Sequence, residues 1–417
     1  MIHKYKLNGF NIVLDVNSGG VHIVDELTYD LLDNIEPPFE EKCPEKVVDK
    51  LSKVYSVEDI ESCYDEIVEL YNEKILFSED DYEKYAKYSV ASPVKAMCLN
   101  IAHDCQLRCK YCFASTGDFG QGRKLMTLET GKHAIDFLLE NSGDRTNLEL
   151  DFFGGEPLMN FKVVKQIVEY ARSREAEYNK KFRFTITTNG LLLDDDKIEF
   201  INKEMSNVVL SIDGRKEIND YFRVLPNGQG CYDMILPKYK KLVAGRTQEG
   251  RTDYYVRGTF TKFNLDFVED VLHIAGEGFD QLSVEPVTAP EEMDYAITEK
   301  DLPVIYKGYD RLYDIMAESV EKTGKKPFNF FHYMIDLQQG PCAIKRLRGC
   351  GCGNEYVAVT PDGDIYPCHQ FVGIDEWKMG TIYDGKVNEE IANYFAKTHI
   401  YSKEGCSECW ARFYCSG

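Results

Sequence analysis

Three cysteines in the segment AHDCQLRCKYCF have the spacing of a metal site. Cys105, Cys109 and Cys112 lie within eight residues of one another. Thiolates this close can hold one metal centre and leave a coordination position free. A four-iron, four-sulfur cluster normally takes four thiolates, so three cysteines imply one iron that is open to another ligand. Zinc is the alternative metal, because soft sulfur ligands suit both.

The spacing C-x-x-x-C-x-x-C, with an aromatic residue before the last cysteine, resembles the radical S-adenosylmethionine (SAM) superfamily. In that family the open iron is chelated by the amino and carboxylate groups of SAM. The resemblance implies that the reduced cluster donates an electron to SAM, and that a 5′-deoxyadenosyl radical then takes a hydrogen atom from the substrate. It also implies that Tyr111 and Phe113, which flank Cys112, contact the cofactor.

A GGEP motif follows the second predicted strand of the region. Gly154 and Gly155 allow the backbone to come close to a ligand, and the Glu156 carboxylate can accept hydrogen bonds from an ammonium group. The position of the motif, one strand–helix unit after the cysteines, matches the family element that holds the SAM amino group. A simple turn is the alternative interpretation.

Two further motifs, TTNG and SIDG, end the next two predicted strands. Their positions direct Asn189 and Asp213 toward the same cavity. By resemblance, Ser211 and Arg223 serve the SAM ribose or carboxylate, because a guanidinium group suits carboxylate recognition. Turn formation is again the alternative, since Asn-Gly and Asp-Gly favour turns.

The elements that must position these residues form a repeating pattern. Candidate strands are VKAMCLNI, LELDFFGG, RFTITTNG, NVVLSIDG, YYVRGTF and QLSVEPV, separated by amphipathic helical segments, one of which begins at a Thr127 cap. Such alternation predicts an α/β fold with a parallel sheet. Residues 89–290 are short for a complete eightfold barrel and resemble the partial (β/α)6 barrel of radical SAM enzymes.

Residues 1–88 are predicted to form a separate module. Two strand-like segments, an NSGG turn and two helical stripes (Val47, Val48, Leu51 and Val54, then Ile60, Tyr64, Ile67, Leu70 and Tyr71) indicate a hairpin followed by helices. This arrangement resembles the winged-helix-like domain that recognises leader peptides by adding them as a strand. A DNA-binding winged helix is the alternative, but the segment is acidic or mixed in charge, which opposes phosphate contacts.

Residues 291–340 are predicted to be a helical bridge, and residues 341–417 a cysteine-rich module. The tail combines a Gly363-x(4)-Cys368 element with a C-x-x-C-x(5)-C motif, and it resembles the SPASM domain, which binds two auxiliary iron–sulfur clusters. The resemblance implies that Cys342, Cys350 and Cys368 hold the first cluster, with Cys352 as an alternative to Cys350. Cys406, Cys409 and Cys415 would hold the second.

The family pattern continues beyond Cys415, so the SPASM module is expected to be truncated at its C-terminal end. A zinc ribbon is the alternative for the C-x-x-C pairs. With the cysteines of the first motif, the prediction is three 4Fe–4S clusters and SAM.

Composition limits the classes of partner. The chain has 417 residues, a net charge of −21 and 14 cysteines. Its length predicts more than one domain, and its charge argues against binding to nucleic acid or to an anionic membrane. Without a visible signal peptide or a spanning apolar run, a cytoplasmic protein with reduced, metal-binding cysteines is expected.

The three modules together resemble maturases of ribosomally made peptides, and the N-terminal and tail segments are similar to maturases of six-cysteine-in-forty-five (SCIFF) peptides. The resemblance implies thioether links from cysteine sulfur to a carbon, expected to be an α-carbon, in a Cys-rich precursor peptide. A flavodoxin or ferredoxin is the expected electron donor.

The alternatives within the SPASM enzymes are a sulfatase-maturing dehydrogenase and a quinohaemoprotein thioether maturase. A non-catalytic iron–sulfur or zinc protein would not need the GGEP motif. The sequence identifies no catalytic acid or base.

Overall fold

The computed structural model describes residues 1–86, 92–335, 347 and 349–415. The chain divides into two units. The first comprises Met1–Val90, Ile335–Gly351 and Asn393–Gly417, and the second comprises Ala91–Met334 and Cys352–Ala392. In the described ranges, no helix combines the length and the apolar character that a membrane span requires.

The N-terminal residues form an antiparallel sheet that contains the predicted hairpin. Its strands are β1 (Ile2–Leu7), β2 (Phe10–Asp15) and β3 (Val21–Val24), in the order β1-β2-β3. Asn8 and Gly9 connect β1 to β2 with φ values of 48° and 81°, the two positive values that a type I′ turn needs. Among the described strands, β3 pairs with β2 alone, so its other edge is free.

Four helices follow the sheet: α1 (Glu26–Leu31), α2 (Glu45–Leu51), α3 (Val57–Asn72) and α4 (Glu83–Ala86). The second predicted apolar stripe is buried on α3 at Ile60, Tyr64 and Ile67. The first stripe was predicted one turn too long. Val54 is 76% exposed because α2 ends at Leu51 and the helical repeat does not reach it.

The second unit is a mixed α/β structure around one central sheet. Its first strands are β4 (Ala96–His103), β5 (Lys124–Leu125), β6 (Asn147–Gly154), β7 (Lys181–Thr188), β8 (Asn207–Ser211), β9 (Tyr254–Phe260), β10 (Gln281–Pro286) and β11 (Asn329–Phe330). The six predicted strands are confirmed as β4, β6, β7, β8, β9 and β10, which lie side by side and pair in parallel. Parallel pairing brings all their carboxyl ends to one edge.

The helices of this region are α5 (Leu128–Asn141), α6 (Phe161–Tyr178), α7 (Asp195–Glu204), α8 (Lys216–Phe222), α9 (Tyr232–Gln248), α10 (Phe267–Gly276) and α11 (Leu302–Thr323). All of them except α8 share one apolar core with the strands. The predicted Thr127 cap is confirmed, since its hydroxyl accepts the Thr130 N–H at 3.1 Å. On β6, Leu148, Leu150 and Phe152 are completely buried in the main core. The apolar row of each strand thus packs on the helices.

The tail adds β12 (Tyr356–Val359), β13 (Asp364–Tyr366), β14 (Gly380–Thr381), β15 (Lys386–Val387), α12 (Glu389–Lys397) and α13 (Arg412–Cys415). Strand β12 pairs in parallel with β4, with Ala358 beside Cys98. The residues predicted as one module, 341–417, therefore contribute to both units, because β12 to β15 extend the central sheet.

The end of the chain belongs to the same unit as the N-terminal sheet, and a buried ion pair joins them. Arg412 donates to the carboxylate of Asp80 at 2.9 Å and also bonds the side chain of Asn17. The Tyr401 hydroxyl donates to Asp80 at 2.7 Å. Arg412 is only 6% exposed, so this network holds two ends of the sequence together.

Replacement of Arg412 by alanine is expected to lower the free energy of unfolding of this unit by about 3 kcal/mol, because it leaves a shielded carboxylate without its cation. Hydrogen–deuterium exchange of the amides of β2 measures the loss. Lys84→Ala is the control, since it breaks an exposed pair with Asp81, which is worth at most about 1 kcal/mol. Equal exchange rates in the two variants would contradict the prediction.

Candidate functional site

The cysteine loop starts where β4 ends, at the carboxyl edge of the sheet. Its backbone is held by the end of α8 and the residues after it. The Arg108 N–H donates to the Val224 carbonyl at 2.7 Å, and the Lys110 N–H donates to the Phe222 carbonyl at 3.0 Å. The Arg108 guanidinium donates to the Cys105 carbonyl at 2.5 Å. These bonds fix the loop before any ligand is considered.

Two of the three thiols are strongly shielded from solvent. Burial raises the pKa of both Cys105 and Cys109 to about 12, so each thiol keeps its proton unless a cation is bound. Cys112 is partly exposed. Among the described residues, no three His, Cys, Asp or Glu side chains are grouped as ligands of a single metal ion. A cysteine-ligated iron centre would supply the positive charge that thiolates here require.

A cavity of about 160 Å³ lies at the carboxyl ends of β4, β6, β7 and β8. The predicted cluster and SAM residues line it together: Cys105, Cys109, Tyr111, Cys112, Phe113, Gly154, Gly155, Glu156, Asn189, Ser211 and Arg223. Asp213 is not one of the lining residues, but its carboxylate accepts a hydrogen bond from the hydroxyl of Tyr111, which is. Residues from four strand ends, far apart in the sequence, therefore meet at one site.

The two glycines of GGEP pack directly against the backbone of the cysteine loop. The Gly155 N–H donates to the Ala102 carbonyl at 2.7 Å. A Cβ on Gly154 would lie 2.3 Å from the same carbonyl oxygen, and one on Gly155 would lie 2.2 Å from the Asp104 carbonyl oxygen. The sequence predicted that these glycines would let the backbone approach a ligand. In the structure they let it approach the cysteine loop. Gly117, which the sequence did not single out, has φ +103° and packs on Cys105 and Gly155.

Glu156 is buried at the floor of the cavity. Its carboxylate accepts hydrogen bonds from the Leu158 N–H at 3.0 Å, the Thr188 hydroxyl at 2.7 Å and the Asn189 N–H at 2.8 Å. Burial nevertheless raises its pKa to about 7. An ammonium group in the cavity would stabilise the charged form and would suit the remaining acceptor site of the carboxylate. Thr188, inside TTNG, was given no role from sequence.

Tyr111, Asp213 and Arg223 form a buried chain of hydrogen bonds. The Tyr111 hydroxyl donates to Asp213 at 2.6 and 2.7 Å, and Arg223 Nη1 donates to the Tyr111 oxygen at 3.1 Å. Arg223 Nε is buried and has no hydrogen-bond partner in the described part of the chain. Because a buried unpaired donor is costly, this atom suits a carboxylate that enters the cavity.

The other predicted cofactor residues, Asn189, Ser211 and Phe113, line the same cavity. Asn189 Nδ2 lies 3.5 Å from Cys105 Sγ, and the Ser211 carbonyl accepts from the Tyr239 hydroxyl at 3.1 Å. Phe113 is 49% exposed and stacks on Phe153 with ring centroids 6.4 Å apart. The cavity is thus lined by both aromatic and polar side chains, as an adenosyl group with a charged amino acid end would need.

The tail cysteines fall into separate positions. Cys352 and Cys368 hydrogen-bond through their sulfur atoms, and this bond is the main cause that lowers the pKa of Cys368 to about 4. Cys350 is exposed and belongs to the first unit. Cys342 lies outside the described residues. The structure therefore places beside Cys368 the cysteine that the sequence left as the alternative.

The last three cysteines lie at the short helix α13 in the first unit: Cys406 and Cys409 precede it, and Cys415 is its last residue. The Cys409 N–H donates to the Cys406 carbonyl at 3.2 Å, and the Cys415 N–H donates to the Ala411 carbonyl at 2.8 Å. Cys406 and Cys409 are partly buried and Cys415 is exposed. A tight turn followed by one helical turn keeps the three residues in a short segment.

Two family models match the chain. Residues 95–230 match a model described as a 4Fe-4S single cluster domain, and residues 350–410 match the SPASM model, described as an iron–sulfur cluster-binding domain. The first range contains all three cysteines of the loop and the other cavity residues. The second contains Cys350, Cys352, Cys368, Cys406 and Cys409.

Two relatives cover most of the chain. An uncharacterized protein of Methanocaldococcus jannaschii is 35% identical over 300 residues, which is 70% of this chain and 90% of the relative. A cysteine-type anaerobic sulfatase-maturating enzyme of Clostridium novyi is 22% identical over 320 residues, which is 73% of this chain and 82% of the relative.

A solved structure matches nearly the whole fold. SuiB of Streptococcus suis, bound to S-adenosylmethionine, has a TM-score of 0.55 and 17% identity, and the match covers 99% of this chain and 93% of SuiB. The same protein bound to its precursor peptide SuiA has a TM-score of 0.50, with 92% of this chain and 84% of SuiB covered at 16% identity.

Gly155→Ala is expected to displace the cysteine loop, because the added Cβ would meet the Asp104 carbonyl, which is backbone and cannot rotate away. We expect anaerobically reconstituted protein to lose most of the iron of the loop and to bind SAM at least tenfold more weakly, a difference of about 1.4 kcal/mol. Iron analysis and calorimetric titration with SAM measure both effects.

Gly276→Ala is the matched control, because a Cβ added at Gly276 would have no heavy atom within 4 Å. Normal iron content and SAM affinity in Gly155→Ala would show that the loop does not depend on this contact.

Proposed function

Because this chain belongs to the radical SAM enzymes that carry a SPASM domain, we propose that it is a peptide maturase that joins cysteine sulfur to the α-carbon of another residue in a Cys-rich precursor. The observation that carries the proposal is the convergence of the predicted cluster and SAM residues on one cavity. A binding protein would need the cysteines but not the buried carboxyl and guanidinium groups around them.

The residues of the cavity divide the work of holding the cofactors. Cys105, Cys109 and Cys112 would ligate the cluster, and Glu156 would accept a hydrogen bond from the SAM amino group. Arg223 Nε would pair with the SAM carboxylate. When bound, the cluster and SAM supply the radical that removes a hydrogen atom from the substrate. The protein residues orient SAM and keep water from the cavity, which limits competing reactions.

We further propose two auxiliary 4Fe–4S clusters in the tail, for a total of three. Cys406, Cys409 and Cys415 would hold one of them. The other would use Cys342 and Cys368 together with Cys350 or Cys352, and the bond between Cys352 and Cys368 favours Cys352. Electrons would leave the substrate through these clusters, and a flavodoxin or ferredoxin would reduce the first cluster.

The free edge of β3 supports a peptide partner. An extended leader peptide can add to this edge as a fourth strand, and alternate side chains would then contact exposed residues of the edge strand. Ile23 is 69% exposed on this strand, more than an apolar side chain in a sheet usually is. Such chemistry belongs to the cytoplasm, where cysteine thiols stay reduced.

A second candidate function is oxidation of a single cysteine or serine to an aldehyde. The relative of Clostridium novyi, a cysteine-type anaerobic sulfatase-maturating enzyme, favours this candidate. Both reactions begin with removal of a hydrogen atom and differ in whether the sulfur is retained in a new bond, so the product distinguishes them.

The two candidates are tested by anaerobic incubation of the reconstituted protein with SAM, a reductant and a Cys-rich precursor peptide. The proposal expects 5′-deoxyadenosine together with a peptide that has lost two hydrogen atoms per link, with sulfur on an α-carbon in the fragment spectra. Cys105→Ala is the control, and it should form neither product. An aldehyde would favour the dehydrogenase, and the absence of 5′-deoxyadenosine would contradict both functions.

Ile23→Lys is expected to weaken binding of the precursor peptide at least tenfold, since it removes apolar contact and places a charge on the edge strand. Fluorescence anisotropy of a labelled leader peptide measures the affinity. Val54→Lys is the control, because Val54 is 76% exposed but lies outside the sheet. Formation of 5′-deoxyadenosine without peptide should be unchanged in both variants, and equal peptide affinities would contradict a site at β3.

A further inference from the structure

The inner face of the central sheet carries polar side chains next to the cavity. On β6, Glu149, Asp151 and Phe153 alternate with the completely buried leucines and phenylalanine that pack on the helices. Phe153 lines the cavity. Residues two apart on a strand share a face and lie about 7 Å apart. Asp151 therefore lies on the same face as Phe153, one position farther from the cavity.

The neighbouring strands place further polar groups at the same level. In the sheet register Asp151 lies between Cys98 of β4 and Thr185 of β7. The Thr185 side chain hydrogen-bonds to the Asp151 carboxylate, and Thr187, one inner position beyond Thr185, lines the cavity. Asp151 thus lies on the inner face that continues directly from the predicted SAM site.

Four titratable side chains surround Asp151, from β6, from β4 and from the tail. Glu149 precedes it on β6, Cys98 lies on β4, and His369 and Tyr356 come from the tail segment of the same unit. Among the described residues, no Lys or Arg is one of the charged groups that act on the Asp151 carboxylate. Burial, together with the charge of Glu149, raises the pKa of Asp151 to about 6.

The tail residues complete a cluster beside the cavity wall. The His369 ring lies 4.9 Å from the Phe153 ring and 5.7 Å from the Phe113 ring. Its Nδ1 atom is 3.2 Å from the Tyr356 hydroxyl and 3.7 Å from Cys368 Sγ. The contact between His369 and Phe153 therefore joins the cavity to the face of β6 that carries Asp151, which is partly exposed.

We propose that Asp151 is the proton acceptor for the cysteine thiol of the substrate peptide. The proposal rests on the proposed function, since it requires a peptide thiol on the inner face of the sheet. In this step the thiol S–H bond breaks, the proton forms an O–H bond on the Asp151 carboxylate, and the electron pair stays on sulfur. No oxidant is consumed, and the step serves thioether formation and thiol oxidation alike.

The other groups of the cluster are less suited to this task. Burial raises the pKa of Cys98 and of Tyr356, so both keep their protons at neutral pH. Glu149 is exposed and lies one inner position farther from the cavity. Nδ1 of His369 is occupied by Tyr356. A carboxylate that is mostly ionised at pH 7 and lies in a partly dry site is well placed as a general base.

The test compares wild-type protein with Asp151→Asn, Asp151→Glu and the control Glu149→Gln, all reconstituted and supplied with SAM and reductant. The peptide carries deuterium on its α-carbons. Three quantities are measured from pH 5 to 8.5: the rate of peptide modification, the deuterium found in 5′-deoxyadenosine, and the affinity for the peptide.

We expect the wild-type rate of modification to rise with pH and to level off above about 6, because the base must be ionised. Asp151→Asn should lose this inflection and modify the peptide about 10²-fold more slowly at pH 7.5. It should still transfer deuterium and bind the peptide normally. Asp151→Glu should recover part of the rate. Glu149→Gln should match the wild-type rate at pH 7.5 and keep the inflection, moved to lower pH because the charge of Glu149 no longer raises the pKa of Asp151.

An unchanged rate and pH profile in Asp151→Asn would overturn the assignment. Loss of peptide binding or of deuterium transfer in this variant would also overturn it, because Asp151 would then position the substrate and not accept its proton. Loss of the inflection in His369→Gln but not in Asp151→Asn would assign the base to His369 instead. If the wild-type protein forms 5′-deoxyadenosine but leaves every peptide unchanged, the proposed function fails and the assignment falls with it.

Discussion

The site depends on the contact between the cysteine loop and the end of β6. The Glu156 N–H donates to the Asp104 carbonyl at 2.9 Å, and the two segments can approach this closely only because residue 155 has no side chain. The same short segment then presents the Glu156 carboxylate to Thr188, the last residue of β7, and to Asn189, which follows it. The ends of three strands are thereby fixed to one another, and the positions of the thiols follow from that arrangement.

The two faces of the central sheet carry different kinds of side chain: apolar residues that stabilise the fold on one, and polar residues on the other. The outer face buries apolar rows such as Leu148, Leu150 and Phe152 against the helices, and this burial is the main favourable contribution to folding. A complete barrel fills its interior with branched apolar side chains. Here the inner face carries Asp151 and Thr185 instead, so polar groups are available where a substrate could reach them.

The tail shows how sequence-remote segments complete a fold. Its strand β12 pairs with β4 and brings Cys368 and His369 to the inner side of the sheet, whereas Arg412 joins the unit of the N-terminal strands. The proposed leader-binding edge and the last three cysteines therefore belong to one unit. The cavity beside the cysteine loop and the Cys352–Cys368 pair belong to the other.

The sequence by itself determined the features that are encoded locally. Alternation placed the six parallel strands and the Thr127 cap began a helix, because strand period and turn chemistry depend on near neighbours. Motif spacing, together with the family resemblance, named most of the residues that meet at the cavity. Only the tertiary structure showed three contacts: Cys352 beside Cys368, the cysteine loop against the glycines of GGEP, and Asp151 beside His369. Those contacts join residues far apart in the chain, and local periodicity records which face of a strand is buried but not which distant segment covers it.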